Sequence, residues 1–521
     1  MRVLLISMPD TMYLFRWAQA RVPNLAISSI AGNLDRRAFD VKLLDLVVEP
    51  YGVRSTVKQL VEQFKPHVVG LTSMSFQYRT ASRIAALVKS IDPSIKIVLG
   101  GYHATMAYDE IRAEGDSFDF LVRGEGEATA RELMEGIESG SRAFDRIHGL
   151  SFRAGQAFVH NAARPLLDPA AVALPDRESR VYGYRGGWNG GLDCVETSRG
   201  CYMKCSFCSI SEMYGQSFRK FSTERVIEDI RRVKALGGKR VFFSDDNITI
   251  DVARFKQLCQ AIIDNGLSDM RYSTQASAVG IASSEDLVGM MRAANFTLVF
   301  LGIEGIDEAK LKFMKKGRIV DHSIRSIELL HKNGIAIAGG FITGLPDDTP
   351  EDIRKVFRFA SNHRIAVPIV WCSTPYPRTK FRDDLIAEGL VVNETNYYRY
   401  NGWNTNVRTR HISRARLSFE RTRCYLAFLF RAAVLGDNHY VRKAREASFL
   451  RMVLWRLSAI KLFWRGITGT WQSTHSTSFY SWRDLPLMVP ISAIARLRSR
   501  TVTATRRGAL NAAESGQGSA M

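Results

Sequence analysis

Cysteine is scarce in this chain, with seven in 521 residues, and four of them stand singly at Cys194, Cys259, Cys372 and Cys424. Such scatter argues against a disulfide framework, which needs paired and regularly spaced cysteines. Long apolar runs are also missing. No window reaches eighteen uninterrupted apolar residues, so no membrane-spanning helix is expected. The opening apolar stretch meets Pro9-Asp10 within ten residues, too soon for a secretory signal peptide, and a reducing cytoplasm is the expected compartment. Acidic residues thin out toward the end: from Asn401 onward 20 Lys and Arg face 5 Asp and Glu, a surplus of +15 within a net charge of +20. The first 400 residues carry only +5, so the positive field belongs to a carboxyl-terminal unit.

What is present is organised in three parts, as 521 residues with 46% hydrophobic content allow. Residues 1–150 alternate apolar runs (Val3–Ile6, Val41–Leu44, His67–Leu71, Ile95–Leu99, Phe118–Val122) with helical patterns. This is the βαβ rhythm of a doubly wound, Rossmann-like parallel sheet, whose ligands bind beyond the carboxyl ends of the strands. Residues 151–190 read as a connector with a hairpin and the turn-forming Pro165, Pro169 and Pro175. Six further strand-helix units, with strands at 193–197, 240–243, 271–275, 298–302, 335–341 and 368–372, predict a partial (βα)6 barrel over 191–395. Within it Ser222 caps a helix with Val226, Ile227, Ile230 and Val233 on one stripe, and Thr349-Pro350-Glu351-Asp352 opens another. Residues 396–504 read as a basic, mostly helical region and 505–521 as a disordered tail. Its arginines interleave with apolar residues around Cys424 and across Phe449–Trp464, a pattern that suits either a membrane interface or a helical cap over the barrel.

The three remaining cysteines, Cys201, Cys205 and Cys208, are spaced Cys-x3-Cys-x2-Cys after the first barrel strand. Closed four-iron clusters and structural zinc sites take four protein ligands. Three within eight residues, with no fourth nearby, leave one iron of a [4Fe-4S] cluster open for chemistry; a zinc knuckle or three unrelated buried thiols are the bland alternatives. Strand-end loops are where βα-barrel enzymes place their catalytic groups.

The triplet, with three later segments in order, resembles the radical S-adenosylmethionine (SAM) superfamily. Ser244-Asp245-Asp246-Asn247 resembles the segment holding the SAM amino group, Leu301-Gly302-Ile303-Glu304-Gly305 the ribose- or SAM-contacting segment, and Gly340-Phe341-Ile342-Thr343-Gly344 the adenine-contacting element. The resemblance implies SAM contacts from Asp245, Asp246, Glu304, Gly340, Ile342 and Gly344, with Phe207 beside the adenine. Upstream, Gly100-Gly101-Tyr102-His103-Ala104-Thr105 and Arg123-Gly124-Glu125-Gly126-Glu127 resemble the cobalamin-binding domain that precedes many radical SAM domains. That implies cobalamin contacts from Ser73, Gly100, Gly101, His103, Gly124 and Glu125, the glycines letting backbone approach a flat corrin. No Asp-x-His-x-x-Gly string occurs, so histidine ligation of cobalt is not expected. A module of this type that has lost its cofactor is the alternative. Thr374-Pro375-Tyr376-Pro377-Arg378-Thr379 resembles a segment of cobalamin-associated members, with Arg378 in place of the usual glycine and an extra cation expected near the substrate side.

By this resemblance an external one-electron reductant would drive homolytic cleavage of SAM, and the 5′-deoxyadenosyl radical would abstract hydrogen from an unactivated carbon of a small molecule. Methylcobalamin would then supply a methyl group. A cobalamin-dependent cyclisation, rearrangement or oxidation keeps the same cofactors; a SAM- or cobalamin-binding sensor with a dead cluster is the reading of another class. The basic carboxyl-terminal unit suggests peripheral attachment to the inner membrane face and a hydrophobic substrate. Nucleic acid is not expected as a partner, because the aromatics sit within aliphatic runs and form no evident stacking platform.

Overall fold

The structure, a computed structural model, describes residues 1–10, 21–48, 52–112, 117–141, 143–183 and 190–435. The first five apolar runs become parallel strands β1 (Arg2–Ser7), β2 (Asp40–Asp45), β3 (Val68–Thr72), β4 (Lys96–Gly100) and β5 (Phe120–Val122), in the order β2-β1-β3-β4-β5. This is the flavodoxin-like doubly wound order. Alternate side chains of each strand enter opposite cores: Leu4, Ile6, Val69 and Leu71 pack on one face, Val3, Leu5, Val68 and Val98 on the other. Residues buried on both faces explain why the strands read as continuous apolar runs.

The sheet continues past residue 150. Strands β6 (Leu150–Ala154) and β7 (Ala157–His160) form an antiparallel hairpin paired with β5, so the hairpin read as part of a connector completes a seven-stranded sheet. A three-residue β5 would otherwise leave its edge open, and the hairpin covers it. The rest of the connector is a clamp. Arg177 is 1% exposed and reaches Asp193 (3.1 Å), Asp229 (2.5 Å) and the Cys194 carbonyl (2.6 Å), while Arg180 joins Asp193 (2.7 Å) to Ser28 of the first unit (3.2 Å).

The second sheet holds β8 (Leu192–Val195), β11 (Arg240–Phe243), β12 (Arg271–Ser277), β13 (Phe296–Glu304), β14 (Ala336–Thr343) and β15 (Val367–Cys372), all parallel and in that order, an open partial barrel. A short antiparallel ribbon of β9 (Ser198–Arg199) and β10 (Arg219–Lys220) follows β8 and closes the loop that carries the cysteine triplet. The helices form where their caps predict. Ser222 Oγ accepts from the Arg225 amide at 3.2 Å, and Thr349 and Asp352 make a reciprocal capping box. Cys194, Cys259, Cys372 and Cys424 are buried, and every cysteine is a free thiol.

After the barrel, the helix Arg414–Leu435 lies along β15: the Val370 amide donates to Tyr425 Oη (2.6 Å) and the Val370 carbonyl accepts from Arg421 (2.7 Å). The described part of the basic region therefore covers the barrel's open edge. The Phe449–Trp464 cluster and the tail at 505–521 lie outside the described residues. Removing Arg177 would strand the buried Asp229 carboxylate and leave Asp193 to Arg180 alone, so Arg177→Met should destabilise the protein by about 3–5 kcal/mol. Denaturant unfolding of the full chain checks this.

Candidate active site

Strand register decides which side chains face the barrel lumen. Phe242 pairs with Ser273 and Ser273 with Leu298; Gln275 pairs with Phe300; Ser277 with Gly302, Gly302 with Gly340, and Ile342 with Trp371. The intervening Phe243, Tyr272, Val299, Leu301, Ile337 and Val370 belong to the core outside. Along the inner face Phe242, Ser273, Leu298 and Ala336 form one layer, Ser277, Gly302 and Gly340 form a small-residue layer nearer the carboxyl ends, and Ile342 and Trp371 lie beyond it. A Cβ on Gly340 would lie 2.7 Å from the Phe300 ring, and one on Gly302 would lie 2.9 Å from the movable Glu304 Oε1.

The cysteine loop sits over this end. Gly200, with φ +85°, crosses under Ser217, where a Cβ would meet the Ser217 carbonyl at 2.4 Å, so the loop can close only on glycine. Its amide donates to Asp246 (3.0 Å), Ser206 N to the Met314 carbonyl (3.0 Å), and Phe381 N to the Ser206 carbonyl (3.3 Å). Burial raises the pKa of all three thiols, Cys208 up to about 12. Lys316 opposes this. Burial works against its charge, but Glu304, paired at 3.2 Å, together with Cys205 and Cys208 pushes its pKa upward. Lys316 thus places a cation between the cysteine loop and the lumen. Nothing in its local sequence marked it.

The two adjacent aspartates divide. Asp245 is buried and accepts from Thr197 N (3.1 Å), Thr197 Oγ1 (2.7 Å) and Ser198 Oγ, so it braces the segment after β8. Asp246 accepts the Gly200 amide, and burial raises its pKa to about 6. Glu304 adopts φ +62° and faces Lys316. Ile342 lines the inner face and Phe207 packs partly buried on the core edge. Gly344, also at positive φ, donates its amide to Asp348 (2.7 Å) and lies against Leu417 of the last helix, a structural turn.

On the first sheet, the carboxyl ends of β3, β4 and β5 come together. Ser73 is buried with its Oγ unpartnered. Gly101 has φ +89° and a Cβ there would lie 2.6 Å from Thr72 Oγ1, whereas Gly124, φ +73°, opens on empty space; Gly100 has room for a methyl group. His103 is 1% exposed, its Nδ1 3.2 Å from Ser75 Oγ and its ring between Tyr78 (4.3 Å) and Tyr397 (5.3 Å). Burial lowers its pKa to about 4, which leaves it neutral and packed. Glu125 is turned from this face and accepts from Arg199, Arg219 and the Leu167 amide.

The two strand-end surfaces meet. The helix Tyr102–Met106 follows β4, and the Tyr102 ring packs edge-on against Tyr376 at 6.0 Å, with Ser209 and Cys208 as further neighbours. Arg378 is directed at the first unit: at φ +63° it pairs with Asp109 (2.9 Å), donates to the Met106 carbonyl (3.0 Å) and lies over the Tyr108 ring (4.5 Å). Its guanidinium ties the barrel to the first unit.

The Radical SAM superfamily model matches residues 195–360, and the B12 binding domain model matches residues 15–134. The chain is a radical SAM enzyme with an amino-terminal B12-binding domain. The enzyme is 29% identical over 443 residues to an uncharacterized methyltransferase of Pyrococcus horikoshii (84% of this chain, 94% of that protein). It is 28% identical over 369 residues to the hopanoid C-3 methylase of Methylococcus capsulatus (69% and 68%). The same fold is found in the radical SAM methyltransferase TsrM of Kitasatospora setae with cobalamin and [4Fe-4S] cluster bound (TM-score 0.62, 20% identity, 76% and 79% covered). It recurs in the cobalamin-dependent SAM radical enzyme OxsB (TM-score 0.64, 16% identity, 92% and 71% covered).

These families imply a [4Fe-4S] cluster, SAM and cobalamin, and the residues present fit them. Three free thiols share one loop and influence one another electrostatically. Among the described residues no three His, Cys, Asp or Glu gather as ligands of one ion, and cysteines that each hold a different iron need not. The unpartnered Ser73 hydroxyl, the compressed Gly101 and the open face of Gly124 suit a large flat ligand. Cys205→Ala should abolish the cluster's brown absorbance, whereas Lys316→Met should keep the iron and weaken SAM binding at least about tenfold, the scale of a lost charged hydrogen bond. Iron analysis and SAM titration of the reconstituted protein check both.

Proposed function

We propose that the enzyme methylates an unactivated carbon of a small molecule. Bound together, the cluster, SAM and methylcobalamin supply a 5′-deoxyadenosyl radical and a transferable methyl group. The observation that carries the reading is the Tyr102–Tyr376 contact, which sets the strand-end loops of the B12-binding domain directly against the cysteine loop. In this scheme Cys201, Cys205 and Cys208 hold the cluster. Asp246, Glu304, Gly340 and Ile342 line the SAM side, and Lys316 balances negative charge. Ser73, Gly101 and Gly124 form the corrin cradle, and the packed, neutral His103 supports its loop from behind. An external one-electron reductant is required.

A radical cyclisation is the second reading, supported by 27% identity over 387 residues (73% of this chain, 68% of that protein) to the anaerobic magnesium-protoporphyrin IX monomethyl ester cyclase of Rubrivivax gelatinosus. We also favour a hydrophobic substrate reached from a membrane surface. The helix Arg414–Leu435 exposes Phe419 and Phe430 beside Arg416, Arg423 and Arg431, an arrangement suited to an anionic interface. No helix among the described residues is long and apolar enough to cross a membrane.

Incubation of the anaerobically reconstituted enzyme with methyl-labelled SAM, reductant and cell extract should yield 5′-deoxyadenosine, S-adenosylhomocysteine and a labelled product; a cyclase would leave its product unlabelled. The full chain should float with anionic liposomes at low salt, and a chain ending near residue 400 should not. Equal failure of both would remove the membrane reading.

A further inference from the structure

Two carboxylates of the B12-binding domain are buried against the barrel. Glu125 accepts from Arg219 through both terminal nitrogens (2.9 Å each), from Arg199 (3.1 Å) and from the Leu167 amide (2.7 Å). Glu127 accepts from Arg199 (2.6 Å) and from Ser29 Oγ (2.7 Å). Glu196, at the end of β8, takes Arg199 from the other side at 2.8 and 2.9 Å. The carboxylates of Glu125 and Glu127 are 4% and 7% exposed.

Both arginines come from the β9–β10 ribbon, where Arg199 and Arg219 are paired residues. That ribbon is the base of the loop bearing the cysteines, and Arg199 stands two positions before Cys201. Glu125 directly follows Gly124, the open position of the corrin cradle, and Glu127 stands two positions further on. Buried ion pairs contribute little net stability because desolvation offsets attraction, but bidentate guanidinium–carboxylate pairs are directional and fix geometry. Apolar packing would join the two units as well without fixing the ribbon's register.

We propose that Glu125 and Glu127 are positioning residues for the cluster: through Arg199 and Arg219, the B12-binding domain orients the loop Cys201–Cys208. Glu125 thereby acts on the iron side, in place of the corrin contact its sequence neighbourhood suggests. This rests on the triplet holding a SAM-binding cluster.

The test uses the full chain, reconstituted anaerobically, as wild type, Glu125→Gln and Glu127→Gln. Low-temperature electron paramagnetic resonance of the reduced cluster is followed during titration with SAM, alongside cobalamin retained after gel filtration and the unfolding midpoint. Each Gln variant should retain cobalamin but need about tenfold more SAM for the half-maximal spectral change, the scale of one lost charged hydrogen bond. An unchanged SAM midpoint overturns the proposal. So does loss of cobalamin with an unchanged midpoint, which would make Glu125 a corrin contact. If a Gln variant fails to fold, Arg219→Lys keeps the charge but not the two-pronged bond; it should shift the same midpoint, and no shift overturns the proposal. A wild-type spectrum indifferent to SAM would instead defeat the assignment of the triplet itself.

Discussion

Buried charge between the two sheets is the constraint on which the site depends. Each parallel sheet places its ligand-binding loops at the carboxyl ends of its strands, but neither fold dictates that the two sets of loops should face one another. Here the mutual orientation is fixed by guanidinium–carboxylate pairs held out of water. Arg199 and Arg219 meet Glu125 and Glu127 near the cysteine loop, and Arg180 spans from Asp193 to Ser28 farther along the connector. Hydrophobic contact tolerates sliding. A buried charged fork does not, because displacement leaves an unpaired ion in a poor dielectric.

Much of the fold was legible because it rests on local patterns. Strands buried on both faces appear as apolar runs, and the helix caps at Ser222 and Thr349 act on amides three residues away. The cysteine triplet was legible for the same reason. What the sequence hid is where a partner lies far along the chain. Glu125 and Asp245 occupy motif positions that suggest ligand contacts, yet their partners are Arg219, 94 residues on, and Thr197, 48 residues back. Lys316 lies 12 residues from its partner Glu304 and follows a helix with no distinguishing pattern. Glycines show the same division: Gly101 and Gly340 are forced by contacts seen only in three dimensions, while Gly100 beside them is free to be larger.

Arg378 shows how a departure from a family pattern takes its meaning from contacts far along the chain. An arginine in place of a glycine suggested a cation offered to the substrate. The left-handed backbone that favours glycine is retained, and the side chain is directed to Asp109, Met106 and Tyr108 instead. The exposed Asp109 pair contributes little by itself. Its companion contacts, Tyr397 to Glu110 at 2.7 Å and His103 against Tyr397, bring the same face of the first unit onto the barrel's later loops.

An open barrel has two edge strands, and both are treated alike. A guanidinium from outside the sheet binds a carbonyl on each: Arg177 on Cys194 of β8 at 2.6 Å, and Arg421 on Val370 of β15 at 2.7 Å. Edge carbonyls left unpaired invite association with other strands, and covering them lets the barrel stay open. The arginine-rich helix Arg414–Leu435 therefore has a structural task independent of any surface it meets. With both flanks engaged by the protein's own side chains, the carboxyl end of the lumen is the side that lies toward the cysteine loop and, through Tyr376, toward Tyr102.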